Sequence, residues 1–235
     1  RILLQCARRR TDARGGGVVR LYKNNTDFEG HSYGCHENFL LSREIPFQQV
    51  IDGLLPFVVT RQIFAGAGKV GVEQDHKARA ATYQLAQRSD FFEVIASVDT
   101  MHRRPLVNTR DEPHANSARY RRLHLIIGDA NMCEYTTALK VGSTALVIDL
   151  LEVGELPACE LVDPIGALKE ISRDESLCWS LELAGGRSSS ALELQMLITE
   201  RAEALFKGRD EETDWILEAW SSTLESLGRD PQELV

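Results

Sequence analysis

Two hydrophobic periods alternate along this chain. In the first part short stretches repeat every second residue, and in the later part longer stretches repeat every three to four. Strands are predicted at 18–23, 38–43, 91–98, 104–109 and 119–127. The last is the clearest, with Leu123, Leu125 and Ile127 on one face and Arg122, His124 and Ile126 on the other. Residues 46–64 carry Phe47, Val50, Ile51, Leu54, Leu55 and Val58 at helical spacing, with Pro46 suited to the first turn and Pro56 to a kink. A long, largely buried helix follows at 131–153. A short one is capped by Asp163-Pro164, a hairpin turns at Gly185-Gly186, and two amphipathic helices occupy 190–206 and 211–227. Asn24 to Asp27 reads as a turn, and the Arg8–Arg10 and Gly15–Gly17 runs read as a loop. Antiparallel sheet first and helices afterwards indicates an α+β domain.

Composition changes this picture little: 43% hydrophobic and 26% charged residues over 235 positions suit one globular domain. No apolar run approaches the roughly 18 residues of a membrane helix, and no signal-peptide core is present, so a cytoplasmic location and no membrane partner are expected. Cys6, Cys35, Cys133, Cys159 and Cys178 lack paired spacing, which fits reduced thiols better than a disulfide framework or a cysteine zinc site.

Charge changes it more. Residues 1–150 hold 20 Lys/Arg against 16 Asp/Glu, whereas 151–235 hold 7 against 19. Between His102 and His124, Arg103, Arg104, Arg110, Arg119, Arg121 and Arg122 face only Asp111 and Glu112. A basic tract inside an acidic chain fits a local anionic ligand, or else a solvated charged strand and loop, better than a nucleic-acid surface.

Four constellations could use that charge. His36 and Asn38 share a side where the Ser32–Asn38 loop enters a strand, a place for metal or phosphate contact or for a structural histidine. Asn108 and Arg110 share a strand face suited to phosphate or carboxylate, and His124 lies on a polar face backed by an aliphatic one. Gln87 and Arg88 precede the pair Phe91-Phe92. Gly66-Ala67-Gly68-Lys69 is not a phosphate-binding P-loop, because Ile63 replaces its first glycine and Val70 its Ser/Thr.

Longer runs carry a resemblance. Tyr22-Lys23-Asn24-Asn25-Thr26-Asp27, His31-Ser32-Tyr33-Gly34-Cys35-His36-Glu37-Asn38, Asn108-Thr109-Arg110-Asp111-Glu112-Pro113-His114, Tyr120-Arg121-Arg122-Leu123-His124 and Gly128-Asp129-Ala130-Asn131, in this order, resemble the family of the Pup ligase (proteasome accessory factor A) and the Pup deamidase/depupylase. The resemblance implies a glutamine-synthetase-like antiparallel β-sheet cradle packed by helices, using ATP and Mg2+. It implies that Pup, or a Pup-like modifier, and pupylated proteins are the partners, without nucleic acid. Arg88, Arg110 and His124 would be the catalytic residues. Arg88, Arg110, His36, Asn38 and Asn108 would hold the nucleotide, and His36 and His124 would face the metal.

Against the family pattern, the glutamate-bearing strand and essential aspartate expected near the start are not visible before Lys23, and a small C-terminal domain is expected beyond Val235. The expectation is therefore an interior piece: residues 1–17 a divergent or disordered leader, and 18–235 part of the large catalytic domain. Alone, that piece should not turn over. The run from Tyr83 to Glu93 resembles the depupylase more than the ligase, whereas Cys35 matches the ligase. The expected activity is therefore isopeptide hydrolysis and deamidation of the Pup C-terminal Gln. The alternatives are a ligase acting through a glutamyl phosphate, an inactive Pup-binding relative or fragment, or a related amide-forming ligase.

Overall fold

The computed structural model describes residues 2–27, 29–71, 83–99 and 103–231, so His102 at the edge of the basic tract lies outside the described residues. Its centre is a four-stranded sheet in the order β1 (Glu37–Ser42), β6 (Tyr120–Leu125), β5 (Arg104–Asn108), β4 (Phe92–Ser97). The β1–β6 and β6–β5 pairs are antiparallel, as expected. The edge strand β4 instead runs parallel to β5, with a register shift between Phe92 and Val94. Side-chain alternation is identical in both directions, so the sequence pattern could not reveal it. Two small hairpins complete the strands, β2 (Lys69–Val70) with β3 (Tyr83–Gln84) and β7 (Ser180–Leu183) with β8 (Arg187–Ser190).

One sheet face packs on helices. Leu41, Leu123, Leu125 and Val107 join α2 (Phe47–Thr60), α4 (Glu134–Glu152), α6 (Ala191–Phe206) and α7 (Glu211–Arg229) in a continuous core. Trp220 of α7 meets Phe57 of α2 edge-on, centroids 5.7 Å apart. The predicted 46–64 helix continues through Pro56 and breaks at Arg61, leaving the short α3 (Gln62–Ala65). The caps behave as their chemistry dictates: Asp163 accepts from Gly166 N–H at the start of α5 (Pro164–Arg173), and Ser190 and Glu193 form a reciprocal capping box on α6.

Three local expectations change. Residues 18–23 form no strand, and Val18 and Tyr22 stay exposed without a partner strand to pair with. The supposed leader contains α1 (Ile2–Asp12), which buries none of its residues; its Leu, Gln, Ala and Arg favour helix locally, and the glycine run begins only after it. Ile126, assigned to the polar face, is 2% exposed, because the chain leaves the strand at Leu125 and Ile126 and Ile127 both donate to the Leu106 carbonyl.

Candidate functional site

The register of the sheet builds the site. Asn38 of β1, His124 of β6 and Asn108 of β5 are successive cross-strand partners, so three sequence-distant residues form one row. Two residues before Asn38, His36 brings its Nδ1 to 3.0 Å from His124 Nε2, the rings tilted by 53°. Gly34 makes this possible: a Cβ there would sit 3.0 Å from His36 Nε2. Burial, then His36, Arg122 and Arg110, depress His124 to a pKa of about 4. Burial, then Arg88 and Arg104, lower His36 as well. Both imidazoles are therefore neutral at pH 7, one donating to the other.

Arg110 and Arg122 flank the row. The Arg122 guanidinium donates to the Arg110 carbonyl at 3.1 Å, and its Nε has no partner. Asn108 Oδ1 is used locally, accepting the Arg110 N–H at 2.8 Å, so this side chain shapes the Arg110 turn. His124 Nδ1 is likewise without an acceptor or donor. The nearby carboxylate Asp111 is held by Arg43 at 2.7 Å. Two arginines and a pair of neutral imidazoles along one sheet face suit phosphate oxygens.

Arg88 is not on that face. It is fully buried, stacked over Phe92, and donates to the carbonyls of Ile126 and Gly128 and to Ser32 Oγ, leaving Nη2 unpartnered. Arg104 reaches the same Ser32 Oγ at 2.9 Å. Both arginines thus anchor, through Ser32, the loop that delivers His36.

Four further charged residues lie in runs that resemble the family but were given no site role from sequence. Glu37 and Arg61 form a buried two-pronged ion pair at 2.6 and 3.0 Å, and Arg61 also donates to Thr144 Oγ1 and the Ile127 carbonyl. Lys140 Nζ sits 3.9 Å from Glu37 and donates to the Asp129 carbonyl at 2.7 Å. Asp129, 1% exposed, accepts the backbone N–H groups of Ala67, Gln87 and Arg88. Burial raises its carboxyl above the usual range against the pull of those donors. The available signal was charge at core-facing positions: Lys140 follows Leu139 on the buried side of α4, and Arg61 closes an apolar helix. The same network occupies the N–H groups of Gly66-Ala67-Gly68, which go to Gln62, Asp129 and Leu85 and so are not arranged as a phosphate cradle.

Magnesium fits less well. It prefers near-octahedral oxygen ligands, whereas His36 and His124 offer nitrogens already bonded to each other, and Glu37 turns to the opposite face. Among the described residues, the one group with metal-ligand spacing is Asp27, Glu29 and His31, where Asp27 and His31 already pair at 2.7 Å. These residues therefore do not make a magnesium site by themselves.

The family model described as Pup-ligase protein matches residues 1–235. A depupylase of Acidothermus cellulolyticus is 48% identical over 240 residues, covering 100% of this chain and 47% of its own length. A Pup–protein ligase of Nakamurella multipartita is 48% identical over 216 residues, covering 90% and 47% respectively. The solved structure of the Pup ligase PafA in complex with ADP superposes with a TM-score of 0.81 at 38% identity, over 97% of this chain and 53% of that one. The chain thus spans about half the length of the curated relatives it matches. With its fold, its motifs and its whole length matched, the chain belongs to the Pup-ligase family.

Proposed function

We propose that this chain supplies the phosphate-binding sheet of an ATP- and magnesium-dependent enzyme that hydrolyses the isopeptide bond between Pup and a substrate lysine, and deamidates the Pup C-terminal Gln. The carrying observation is the row of His36, His124, Asn38 and Asn108 flanked by Arg110 and Arg122. Residues 18–235 would form part of the large glutamine-synthetase-like domain. Bound nucleotide would supply phosphoryl groups for activating a carboxylate, with magnesium held largely by those phosphates. The chain's own contribution is binding and orientation: Arg110 and Arg122 neutralise phosphate charge, and the His36–His124 pair has one N–H left over from its mutual hydrogen bond. Asn38 faces the same space, and Arg88 keeps the His36 loop in place from within.

Hydrolysis is put first on the run from Tyr83 to Glu93, which resembles the depupylase more than the ligase. The equal 48% identity of that ligase, and the ADP-bearing ligase structure, support bond formation as the second reading. A gel assay with ATP and magnesium separates them. The gene product is given a Pup-conjugated protein in one lane, and Pup ending in glutamate plus a lysine-bearing protein in the other. Loss of conjugate establishes hydrolysis, new conjugate establishes ligation, and no change in either lane defeats both. Replacing Arg110 and Arg122 by Gln should weaken ATP binding in a calorimetric titration while moving folding stability by less than about 0.5 kcal/mol.

A further inference from the structure

Ser32 opens the loop that leads to His36, and two guanidiniums converge on it. Arg88 donates from Nε to the Ser32 hydroxyl at 3.1 Å, and Arg104 donates from Nη1 to the same oxygen at 2.9 Å. The terminal nitrogens of Arg104 also reach the Ser32 carbonyl, each at 3.3 Å. A hydroxyl oxygen has two acceptor positions, and here arginines fill both. Among the described residues neither guanidinium is hydrogen-bonded to a carboxylate; the other acceptors of Arg88 are the carbonyls of Ile126 and Gly128. Two like charges are thus gathered on one neutral side chain, against their repulsion.

The chain on either side of Ser32 is short and already pinned. Asn25 exchanges two hydrogen bonds with the Ala130 backbone, at 2.7 and 3.2 Å, and its carbonyl accepts the Tyr33 N–H at 2.8 Å. Thr26 and Ser32 form an isolated antiparallel bridge. Between Ser32 and His36 stand only Tyr33, Gly34 and Cys35, and Gly34 is the point of closest approach to the His36 ring. Where Ser32 is held therefore decides where the His36 imidazole arrives. After burial, Arg88 and Arg104 are the charges that lower His36, so both stand close to the ring that the loop delivers.

We propose that Ser32 is the positioning residue of the His36–His124 pair: its hydroxyl, held by Arg88 and Arg104, sets the loop so that His36 Nδ1 meets His124 Nε2 before a phosphate group arrives. This deepens the phosphate-binding reading of the row and rests on it. The gain is pre-organisation: binding then does not have to order the loop. Arg104 differs in this from Arg110 and Arg122, since it braces the row through Ser32 and leaves the phosphate to them.

The gene product and its Ser32→Ala, Ser32→Thr and Arg104→Gln variants are compared by hydrogen exchange without nucleotide, and by calorimetric titration with ATP and magnesium. Ser32→Ala removes two acceptors from charged donors, so exchange across residues 25–36 should rise about tenfold and ATP affinity should fall about tenfold. Exchange elsewhere should stay at the parent rate. Ser32→Thr keeps the hydroxyl and should restore both readings. Adding Arg104→Gln to Ser32→Ala should cost nothing further, because the two act through one contact. Parent-like exchange and affinity in Ser32→Ala, additive losses in the double variant, or failure of threonine to rescue each overturn the proposal. Exchange raised throughout the chain marks a general loss of structure and overturns it as well. A parent that binds no ATP defeats the phosphate reading alone: raised exchange confined to 25–36 in Ser32→Ala still supports the positioning role, and unchanged exchange removes it.

Discussion

The two faces of the central sheet handle charge in opposite ways. Behind it, Glu37 and Asp129 are each surrounded by donors: Arg61 and Lys140 around the first, three backbone N–H groups around the second. In front, Arg110 and Arg122 stand beside the His36–His124 pair without a carboxylate between them, and burial with the neighbouring positive charge holds both imidazoles neutral. Buried charge is tolerated only when matched, so the rear network is a structural frame. Likeness of residue type is thus a poor guide to role: Arg88 and Arg110 read alike in sequence, yet one braces a loop and the other faces outward.

The largest effect should come from breaking the frame. Arg61→Ala strands the buried Glu37 carboxylate and should cost about 3–5 kcal/mol in urea unfolding; a loss below 1 kcal/mol would mean the pair is not the frame described. Next, Asp129→Asn keeps one acceptor oxygen but sets an amide N–H against backbone donors, costing about 2 kcal/mol. It should also weaken nucleotide binding through Arg88, and parent-like stability would remove Asp129 from that role.

The smallest effect tests the front face. His124 is lowered to about 4 from an ordinary value of 6.5, so the unfolded chain takes up its proton first as pH falls. Its neutral state therefore stabilises the fold fully above about pH 6.5, and that contribution is lost as pH drops toward 4. Discounted for partial exposure, the loss is about 1 kcal/mol. Urea midpoints measured at pH 7 and pH 4.5 should converge for His124→Gln relative to the parent chain; an identical pH dependence in both would show the imidazole pair to be uncrowded.

Much of the fold was legible because its signals are local. The 3.6 period gave α2, α4, α6 and α7, and the apolar alternation of Leu123 and Leu125 gave β6. Asp163-Pro164 marked a helix start whose cap is seen directly. Of the site, His36, Asn38, Asn108, Arg110 and His124 were named from their strands and motifs, and the register brings His36, Asn38, His124 and Asn108 together. The second layer lay within runs that resemble the family but was given no role, since a lysine within a helix or a glutamate opening a strand carries no local mark of its partner.

By itself, then, the sequence determined element type, helix caps, the inward stripe and family membership, all of which depend on residues within a few positions or on ordered motifs. Only the tertiary structure decided that β4 runs parallel to β5, that α1 forms where a loop was read, and that Arg88 lies inside. It also decided that His36 meets His124 across 88 positions and Arg61 meets Glu37 across 24. Such partners are selected by packing and by the cost of leaving a buried charge alone, and neither quantity is written in any short stretch of chain.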